Sequence, residues 1–441
     1  MNFTQAQQAA FDSYLNGENI FITGPGGCGK SYFIQNVYQH AKENGKNIQV
    51  TSMTGCSAIL LNCNATTIHK WGCLGLGKGE EFDIYKRIMK MKKYENYINI
   101  DILVIDEVSM LNEKLFETLN YLFQTFRKTK DKMFGNVQII FSGDFYQLPP
   151  VCKDKTNIAE ANFCFQSKIW DDVFHNCYIF DKNFRQHEDP KYFEMLTEIR
   201  EGKVSFDTIG ELIQCSKKTI APDDPIQPTK IFPIKKMVDT INQDELKKLE
   251  TKKYIYNAKI YNNKTELPSL KAISQKNIQN EMDTLMKNGM FEEKLELCIG
   301  CQVMCICNLD QENNLVNGSQ GVIQDFQYDF NSNNYYPYVK FDHIEEPKLI
   351  QENMWFLEGN QNFSVGQLPI ILSWAITTHK SQGLSIEKAL IDIGNNIFEC
   401  GQTYVALSRV KSLKGLYLTK VNAQKIKAHP KVIEFYKKLK R

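Results

Sequence analysis

Residues 24–31 read GPGGCGKS, from Gly24 to Ser31. Their spacing fits the pattern G-x-x-x-x-G-K-[ST], in which a glycine-rich turn connects a strand to a helix. The preceding residues 19–23 (NIFIT) predict a buried strand, and apolar residues after Ser31 recur at helical spacing. The backbone N–H groups of such a turn, together with the positive end of the helix, bind phosphate groups. The stretch therefore predicts a nucleotide-binding phosphate loop.

The residue types within this loop predict individual roles. Lys30 is expected to reach the β- and γ-phosphates of ATP as a point charge, and the Ser31 hydroxyl is expected to hold Mg²⁺. ATP and Mg²⁺ are thus the expected cofactors. The candidate nucleotide-binding residues of the loop are Gly24, Pro25, Gly26, Gly27, Cys28, Gly29, Lys30 and Ser31. An ordinary glycine-rich turn is the alternative, and the complete pattern between a strand and a helix argues against it.

Composition indicates a globular chain of several domains. The 441 residues suffice for two or three domains, and 42% hydrophobic and 24% charged residues are ordinary for a globular protein. No apolar run approaches the ~20 residues of a membrane span, so no membrane partner is expected. The N-terminus shows no secretion signal or presequence, so the 13 cysteines predict reduced thiols. The expected location is intracellular: nucleus, cytoplasm or a viral replication site.

An acidic pair follows the apolar run at residues 100–105 (IDILVI), which predicts another buried strand. Asp106 and Glu107 come directly after it, and α/β sheets place their chemistry at such carboxyl ends. Asp106 is expected to hold Mg²⁺, directly or through water, and Glu107 to orient the attacking water. A surface turn with two acids is the alternative, which the preceding phosphate loop makes a minor one.

The sequence is compatible with two roles for Gln7. Residues 4–15 predict a helix, and Thr4 and Gln7 fit the capping box T-x-x-Q, in which a glutamine only satisfies backbone N–H groups. A glutamine can also pair with the N6 and N7 edge of adenine. Both readings remain open from the residues alone.

Three further residues suit the chemistry of phosphoryl transfer. Gln147 follows a predicted strand at 136–142 and is a candidate to sense the γ-phosphate, while Arg185 follows a strand at 176–181. Arg409 stands near the far end of the chain. An arginine placed beside the phosphates stabilises charge that develops in the transition state. The strands up to about residue 186 predict a parallel sheet with crossover helices.

The second half of the chain changes in pattern. Residues 190–202 and 206–218 predict helices, and a turn-rich stretch at 221–228 suggests a junction. A second α/β unit is predicted to begin at 230–234, with one long strand at 295–308. Residues 318–369 carry short β runs separated by Asn, Asp and Pro, which predict a small antiparallel β insert. The α/β pattern resumes at 370–375.

The chain resembles the petite-integration-frequency (Pif) branch of superfamily-one DNA helicases, relatives of RecD. The resemblance covers nearly the whole chain and rests on these ordered segments: FTQAQ, GPGGCGKS, VTSMTGCSA, TTIHKW, DEVSM, FGNVQIIFSGDFYQLPPV, NFRQ, LVNGSQGVI, WAITTHKSQGLS and GQTYVALSRV. The resemblance implies an α/β fold with two RecA-like parallel-sheet lobes (a P-loop NTPase), a small wedge and a small antiparallel β-barrel-like insert. It implies these domains: lobe 1A at 1–186 with wedge 1B at about 66–82, a helical connection at 187–228, lobe 2A at 229–317 and 370–441, and insert 2B at 318–369.

The resemblance also implies residue roles and a function. It assigns Gln7 to adenine, Tyr404 to the nucleotide, Gln147 to the γ-phosphate, and Arg185 and Arg409 to the cleft. It places the following residues near single-stranded nucleic acid: Thr54, His69, Thr378, His379 and Lys380. The implied function is an ATP-dependent DNA helicase that moves from 5′ to 3′ and unwinds duplex in DNA replication, repair, recombination or telomere maintenance. The expected partners are single-stranded and fork-like or structured DNA, with the protein a monomer.

One departure and two alternatives accompany the resemblance. Cys28 occupies a loop position where relatives usually have a small hydroxyl residue, and we expect activity to survive. The chain is expected to be a bare helicase core. An RNA helicase of the same superfamily is one alternative, which preference of the ATPase for RNA would reveal. A catalytically inactive nucleic-acid-binding scaffold is the other, against which the joint presence of the catalytic residue types argues.

Overall fold

The computed structural model of the chain describes residues 3–61, 63–75, 79–150, 162–221, 224–232, 235–262, 291–310, 315–342, 344–357, 360–381 and 384–439. Contacts within the chain divide it into two compact units, each treated by itself below. The first unit comprises Met1–Thr208, Ile397–Ser408 and Ala423–Arg441. The second unit comprises Ile209–Asn396 and Arg409–Asn422. Among the described residues, no helix is long and apolar enough to cross a membrane.

The α-helices of the described chain are α1 (Gln5–Leu15), α2 (Lys30–Glu43), α3 (Gly55–Leu61), α4 (Ile68–Trp71), α5 (Glu81–Met91), α6 (Glu95–Ile98), α7 (Glu113–Arg127), α8 (Trp170–Val173), α9 (Pro190–Glu201), α10 (Phe206–Lys217), α11 (Lys235–Lys248), α12 (Thr378–Ser381), α13 (Gln402–Leu407) and α14 (Pro430–Leu439). The strands of the first unit are β1 (Ile20–Thr23), β2 (Ile48–Ser52), β3 (Thr66–Thr67), β4 (Ile102–Asp106), β5 (Gln138–Gly143) and β6 (Asn176–Ile179).

The strands of the second unit are β7 (Thr229–Phe232), β8 (Tyr254–Asn257), β9 (Lys259–Asn262), β10 (Lys294–Leu297), β11 (Gln302–Cys305), β12 (Gln320–Asp329), β13 (Asn334–Phe341), β14 (Lys348–Leu349), β15 (Asn353–Leu357), β16 (Asn360–Gln367), β17 (Ile370–Leu372), β18 (Ala375–Thr377), β19 (Ala389–Ile393) and β20 (Leu416–Val421).

The first unit is built on a parallel sheet with the strand order β3-β2-β4-β5-β1-β6. Every pairing in it is parallel, which confirms the predicted α/β core. Strand β4 is buried along its whole length because helices cover both faces of a parallel sheet. The crossovers bring the carboxyl ends of β1, β2, β4 and β5 to one edge. That edge carries the phosphate loop, Asp106 and the loop of Gln147.

Two apolar clusters fill the faces of this sheet. One contains Phe33 and Val37 of α2, and the other contains Phe116 and Phe123 of α7. Helix α14, near the C-terminus, joins the second cluster through Tyr436 and its neighbours. The segments Ile397–Ser408 and Ala423–Arg441 thereby group with the first unit, whereas the sequence analysis assigned 370–441 to lobe 2A. Burial of the apolar face of α14 is the physical reason for this difference.

The second unit combines a parallel and an antiparallel part. Its parallel sheet has the order β18-β7-β19-β20, and its largest antiparallel sheet among the described residues has the order β14-β13-β12-β11-β17. Strands β15-β16-β9 and β10-β8 form two smaller sheets, which are antiparallel. The antiparallel region thus draws strands from outside the predicted insert at 318–369.

The prediction of a single strand at 295–308 is wrong. The chain forms β10 and β11 with a turn between them at Cys298–Cys301. Gly300 has φ +90° there, a left-handed conformation that ends an extended run. Strand β10 pairs with β8, while β11 pairs with β12 and β17.

Candidate nucleotide site and nucleic-acid contacts

The phosphate loop runs from the end of β1 to the start of α2. Gly27 and Gly29 have φ +82° and +85°, and Gly29 is the N-cap residue of α2. A Cβ at Gly27 would lie 2.5 Å from the Cβ of Arg185, so no larger residue fits without a shift. The backbone N–H groups of the first helical turn have no partner within their own helix and are available to an anion.

Lys30 lies over this loop. Its Nζ donates to the carbonyl oxygens of Gly24 at 2.7 Å and Pro25 at 2.9 Å, and it lies 3.5 Å from the Sγ of Cys28. The ammonium group therefore lies against the backbone of the loop. Ser31 follows in the first turn of α2 and is exposed, so its hydroxyl is open to a ligand.

Asp106 ends β4 and is only 6% exposed. Burial raises the pKa of its carboxyl group, while the nearby Ser142 hydroxyl, the charge of Lys30 and the Ser57 hydroxyl act in the opposite direction. The Oγ of Ser57 lies 3.5 Å from Oδ2 of Asp106. A buried carboxylate that the charge of Lys30 attracts is suited to binding a cation beside phosphate groups.

Glu107 follows in an unusual backbone conformation. Its φ of 56° and ψ of 41° are left-handed, and it begins the short 3₁₀ turn Val108–Met110. Such a conformation costs roughly 1–2 kcal/mol in a non-glycine residue and is concentrated at functional sites. This left-handed backbone turns the chain out of the direction of β4 directly after Asp106.

Gln147 lies in the loop that follows β5. The residue is 6% exposed, and its Oε1 has no hydrogen-bond partner among the described residues. Leaving a buried amide oxygen unpaired costs roughly 1–3 kcal/mol. This acceptor is therefore a candidate to bind a ligand or a water molecule.

The segment after β6 packs directly on the phosphate loop. Asn183 Oδ1 accepts hydrogen bonds from the N–H groups of Arg185 and Gln186, which shapes the turn. Arg185 Nη1 donates to the carbonyl oxygen of Ser408 at 3.0 Å. The Phe184 ring, 46% exposed, lies 3.3 Å from the position of a Cβ on Gly29. An exposed aromatic face thus borders the start of α2.

Gln7 and Tyr404 also touch the loop. The capping box is present, with the Thr4 N–H donating to Gln7 Oε1 at 2.9 Å, and Gln7 Nε2 lies 3.5 Å from the carbonyl oxygen of Gly29. The hydroxyl of Tyr404, on α13, accepts a hydrogen bond from the Gly26 N–H at 2.9 Å. Gln7, Arg185 and Tyr404 are thus brought together around one loop from distant parts of the first unit.

Two candidate nucleic-acid contacts belong to the first unit. The Oγ1 of Thr54 accepts a hydrogen bond from the Ser57 N–H at 3.2 Å and so stabilises the start of α3. His69 lies on α4, and burial lowers its pKa. Among the described residues, neither Thr54 nor His69 has a side-chain hydrogen bond to the phosphate loop.

The other candidates belong to the second unit. Thr378 and Lys380 lie on α12, where Lys380 Nζ pairs with Glu292 Oε1 at 2.6 Å beside a cavity of about 260 Å³. The side chain of His379 is outside the described residues. Arg409 is buried, and its carbonyl oxygen accepts a hydrogen bond from the Ile386 N–H.

Comparisons with known proteins place the chain in a family. A sequence model described as PIF1-like helicase matches residues 2–209, and one described as DNA helicase Pif1, 2B domain, matches residues 282–326. The crystal structure of Pif1 helicase from Candida albicans is similar at 31% identity and a TM-score of 0.74, with 100% of both chains covered. The chain belongs to the PIF1-like helicase family.

Two further relatives support membership of the PIF1-like family. A structure of Pif1 helicase from Bacteroides in complex with ADP-AlF3 and ssDNA is similar at 26% identity and a TM-score of 0.63, covering 100% of this chain and 98% of that one. The ATP-dependent DNA helicase PIF1 of Emericella nidulans is 31% identical over 96% of this chain and 61% of its own length. The chain thus spans less than two thirds of that curated relative.

The sequence reasoning missed Asn183, Phe184, Ser57 and Ser142. Within the NFRQ segment, the sequence predicts a role for the arginine alone. Phe184 carries a detectable signal, since an aromatic residue beside a polar strand exit is unusual in a solvated loop. Ser57 and Ser142 carry none, because their proximity to Asp106 depends on the path of the folded chain, which a linear sequence does not display.

Proposed function

We propose that the chain is an ATP-dependent DNA helicase, which hydrolyses ATP to translocate along single-stranded DNA and unwind duplex. The observation that carries the proposal is the convergence of Gln7, Arg185 and Tyr404 on the phosphate loop. The same edge of the sheet carries Asp106 and the loop of Gln147. The Bacteroides relative, described as a complex with ADP-AlF3 and ssDNA, supports the same ligands for this chain.

The nucleotide binds through its phosphates and its base. The phosphates lie against the loop N–H groups, and Lys30 exchanges its hydrogen bonds to the loop carbonyls for bonds to the β- and γ-phosphates. The exposed ring of Phe184 would accept the base by stacking, and Gln7 Nε2 would lie near the edge of the base. Tyr404 holds Gly26 in place through its hydroxyl group.

Mg²⁺ fits the oxygen donors available here, a carboxylate and a hydroxyl group. Asp106 and Ser31 would hold it, and when bound it would neutralise charge on the phosphates. The electrostatic attraction between Lys30 and Asp106 supports this placement of a metal ligand beside a phosphate ligand.

Hydrolysis requires a positioned water and stabilisation of developing charge. Glu107 orients the water and accepts its proton, and the unpaired Oε1 of Gln147 adds a second hydrogen bond near the γ-phosphate. Arg185 and Arg409 stabilise the transition state.

DNA binding and the wider assignments rest on the family. Thr54 and His69 of the first unit and Thr378, His379 and Lys380 of the second contact the single strand. We place the wedge at about 66–82 and the β insert at 318–369, and we keep the predicted lobes except that Ile397–Ser408 and Ala423–Arg441 group with the first unit. Movement is from 5′ to 3′. The protein acts as a monomer in the nucleus, cytoplasm or a viral replication site, in replication, repair, recombination or telomere maintenance.

The decisive experiment is steady-state ATP turnover with no polynucleotide, with single-stranded DNA and with single-stranded RNA. Lys30→Ala is the blank, and Lys46→Ala, on the exposed surface of the same unit, is the control for removing a lysine. Strong stimulation by DNA, absent in Lys30→Ala and retained in Lys46→Ala, supports the proposal. Greater stimulation by RNA would transfer the assignment to an RNA helicase, and no turnover at all would make the chain a scaffold.

A further inference from the structure

A buried polar network lies where β1 and β5 end. Asp144, fully buried, follows β5, and Arg200 of α9 donates to both of its oxygens, from Nε and from Nη2, each at 2.8 Å. Burial would lower the pKa of Arg200, but the Asp144 carboxylate outweighs that effect and raises it. The pair is therefore a bidentate ion pair inside the first unit.

Tyr436 of α14 completes the network. Its hydroxyl group donates to Asp144 Oδ1 at 3.3 Å and accepts a hydrogen bond from the Phe145 N–H at 3.2 Å. It also lies 2.5 Å from the Oγ1 of Thr23. Because the tyrosine proton goes to the carboxylate, Thr23 donates in this last bond. The Tyr436 hydroxyl group thus has three hydrogen-bond partners, which use its one donor and both of its acceptor lone pairs.

The ring of Tyr436 is held separately from its hydroxyl group. Tyr146 stacks on it with ring centroids 4.6 Å apart and an interplanar angle of 9°. The Arg200 guanidinium lies 4.5 Å from the Tyr146 ring and 5.2 Å from the Tyr436 ring. Packing of the aromatic ring would persist in phenylalanine, whereas the three hydrogen bonds would not.

The partners of this hydroxyl group are the residues from which two functional loops begin. Thr23 is the last residue of β1 and precedes Gly24 of the phosphate loop. Asp144 follows the last residue of β5 and opens the loop that carries Gln147. Thr23 of β1 and Gly143 of β5 are paired in the parallel sheet. The Tyr436 hydroxyl group therefore connects these two strands at the point where they end.

We propose that Tyr436 is a positioning residue for ATP hydrolysis, whose hydroxyl group holds the phosphate loop and the loop of Gln147 in fixed relation. The inference rests on the proposed function at that loop. In the proposed function, ADP needs the phosphate loop and the contacts to its base but not Gln147, whereas the transition state also needs Gln147. Loss of the hydroxyl group therefore affects the transition state more than the binding of ADP.

The test compares Tyr436→Phe with Tyr14→Phe. Tyr14 is a buried tyrosine of the same unit whose hydroxyl group has a hydrogen bond to His40 Nδ1, away from the phosphate loop. We expect Tyr436→Phe to lower kcat about tenfold, as for a loss of transition-state stabilisation through hydrogen bonds. Its affinity for ADP should stay within about twofold of wild type, while its affinity for ADP with aluminium fluoride should fall with kcat. Tyr14→Phe should change none of the three.

Two results would overturn the inference. One is an unchanged kcat in Tyr436→Phe. The other is an equal fall of kcat and ADP affinity, accompanied by a much lower Tm than that of Tyr14→Phe, which would make the hydroxyl group a general structural element. These results presuppose an active wild type and an inactive Lys30→Ala. An inactive wild type refutes the proposed function instead, so the two failures are distinguishable.

Thr23→Val supplies an independent variant, because valine keeps the shape of threonine and removes the bond to Tyr436. In a double-mutant cycle, Thr23→Val combined with Tyr436→Phe should lower kcat no further than Tyr436→Phe alone. Fully additive losses would show that the two hydroxyl groups act separately and would overturn the link between the loops.

Discussion

Alanine at Gly27 should damage the phosphate loop far more than alanine at Gly17. The two glycines have nearly the same left-handed backbone, with φ +82° at Gly27 and +76° at Gly17. The conformational cost of adding a Cβ is therefore nearly the same at both positions, about 1–2 kcal/mol. Any further difference between the two variants comes from what the new methyl group meets.

At Gly27 the methyl group meets the segment of Arg185. The added Cβ would lie 2.5 Å from the Cβ of Arg185 and 3.3 Å from its backbone nitrogen, whereas nothing lies within 4 Å at Gly17. Carbon atoms make contact at about 3.5–4.0 Å, so the loop and the Arg185 segment must separate by roughly 1 Å. A shift of that size can lower the rate of a catalysed reaction about 100-fold.

Urea unfolding, ADP titration and steady-state ATP turnover measure the consequences. Gly17→Ala should lose about 1–2 kcal/mol in the free energy of unfolding and keep wild-type turnover. Gly27→Ala should lose a further 1–3 kcal/mol, roughly, from overpacking, and turnover should fall about 100-fold. Equal turnover in the two variants, whether high or low, would refute the reasoning from the Arg185 contact.

Three further outcomes are expected. Glu292→Gln should raise affinity for single-stranded DNA about two- to fivefold in a fluorescence anisotropy titration, because Lys380 no longer pairs with a carboxylate; unchanged affinity would remove Lys380 from the DNA site. Burial lowers the pKa of His69 below 6.5, so its contribution to stability is complete above pH 6.5 and is lost as pH falls toward the folded-state pKa. His69→Gln should accordingly flatten the decline of Tm below pH 6.5, and an unaltered profile would contradict this. Arg409→Lys should slow hydrolysis by on the order of 10³ at near-normal ATP affinity; wild-type turnover would exclude that role.

Much of the first unit was predictable because its signals are local. The strand at 19–23 and the glycine pattern after it lie within a few residues, and the apolar run before Asp106 is buried on both faces of a parallel sheet. The capping box at Thr4 and Gln7 is likewise formed within one helical turn. Such features depend on neighbouring residues, which a sequence shows directly.

Features that depend on distant pairing could not be predicted. Arg200 meets Asp144 across 56 residues, and Tyr436 meets it across 292. A buried arginine and a tyrosine on an amphipathic helix have many compatible partners, and only the three-dimensional path of the chain selects among them. The division at Gly300 was missed because Cys, Val and Ile around it are compatible with one long strand, and the left-handed φ is invisible in composition.

The segment GQTYVALSRV shows how one local signal can serve two units. Sequence reasoning treated it as a single block of the second lobe. Tyr404 is buried in the first unit and accepts the hydrogen bond from Gly26, whereas Arg409, five residues later, belongs to the second unit and pairs through its backbone with Ile386. The boundary between units therefore falls between Ser408 and Arg409, inside the block. Tyr404 contacts the phosphate loop through Gly26, whereas the role proposed for Arg409 is in hydrolysis. Substitutions of Tyr404 should therefore change nucleotide affinity, and substitutions of Arg409 should change turnover.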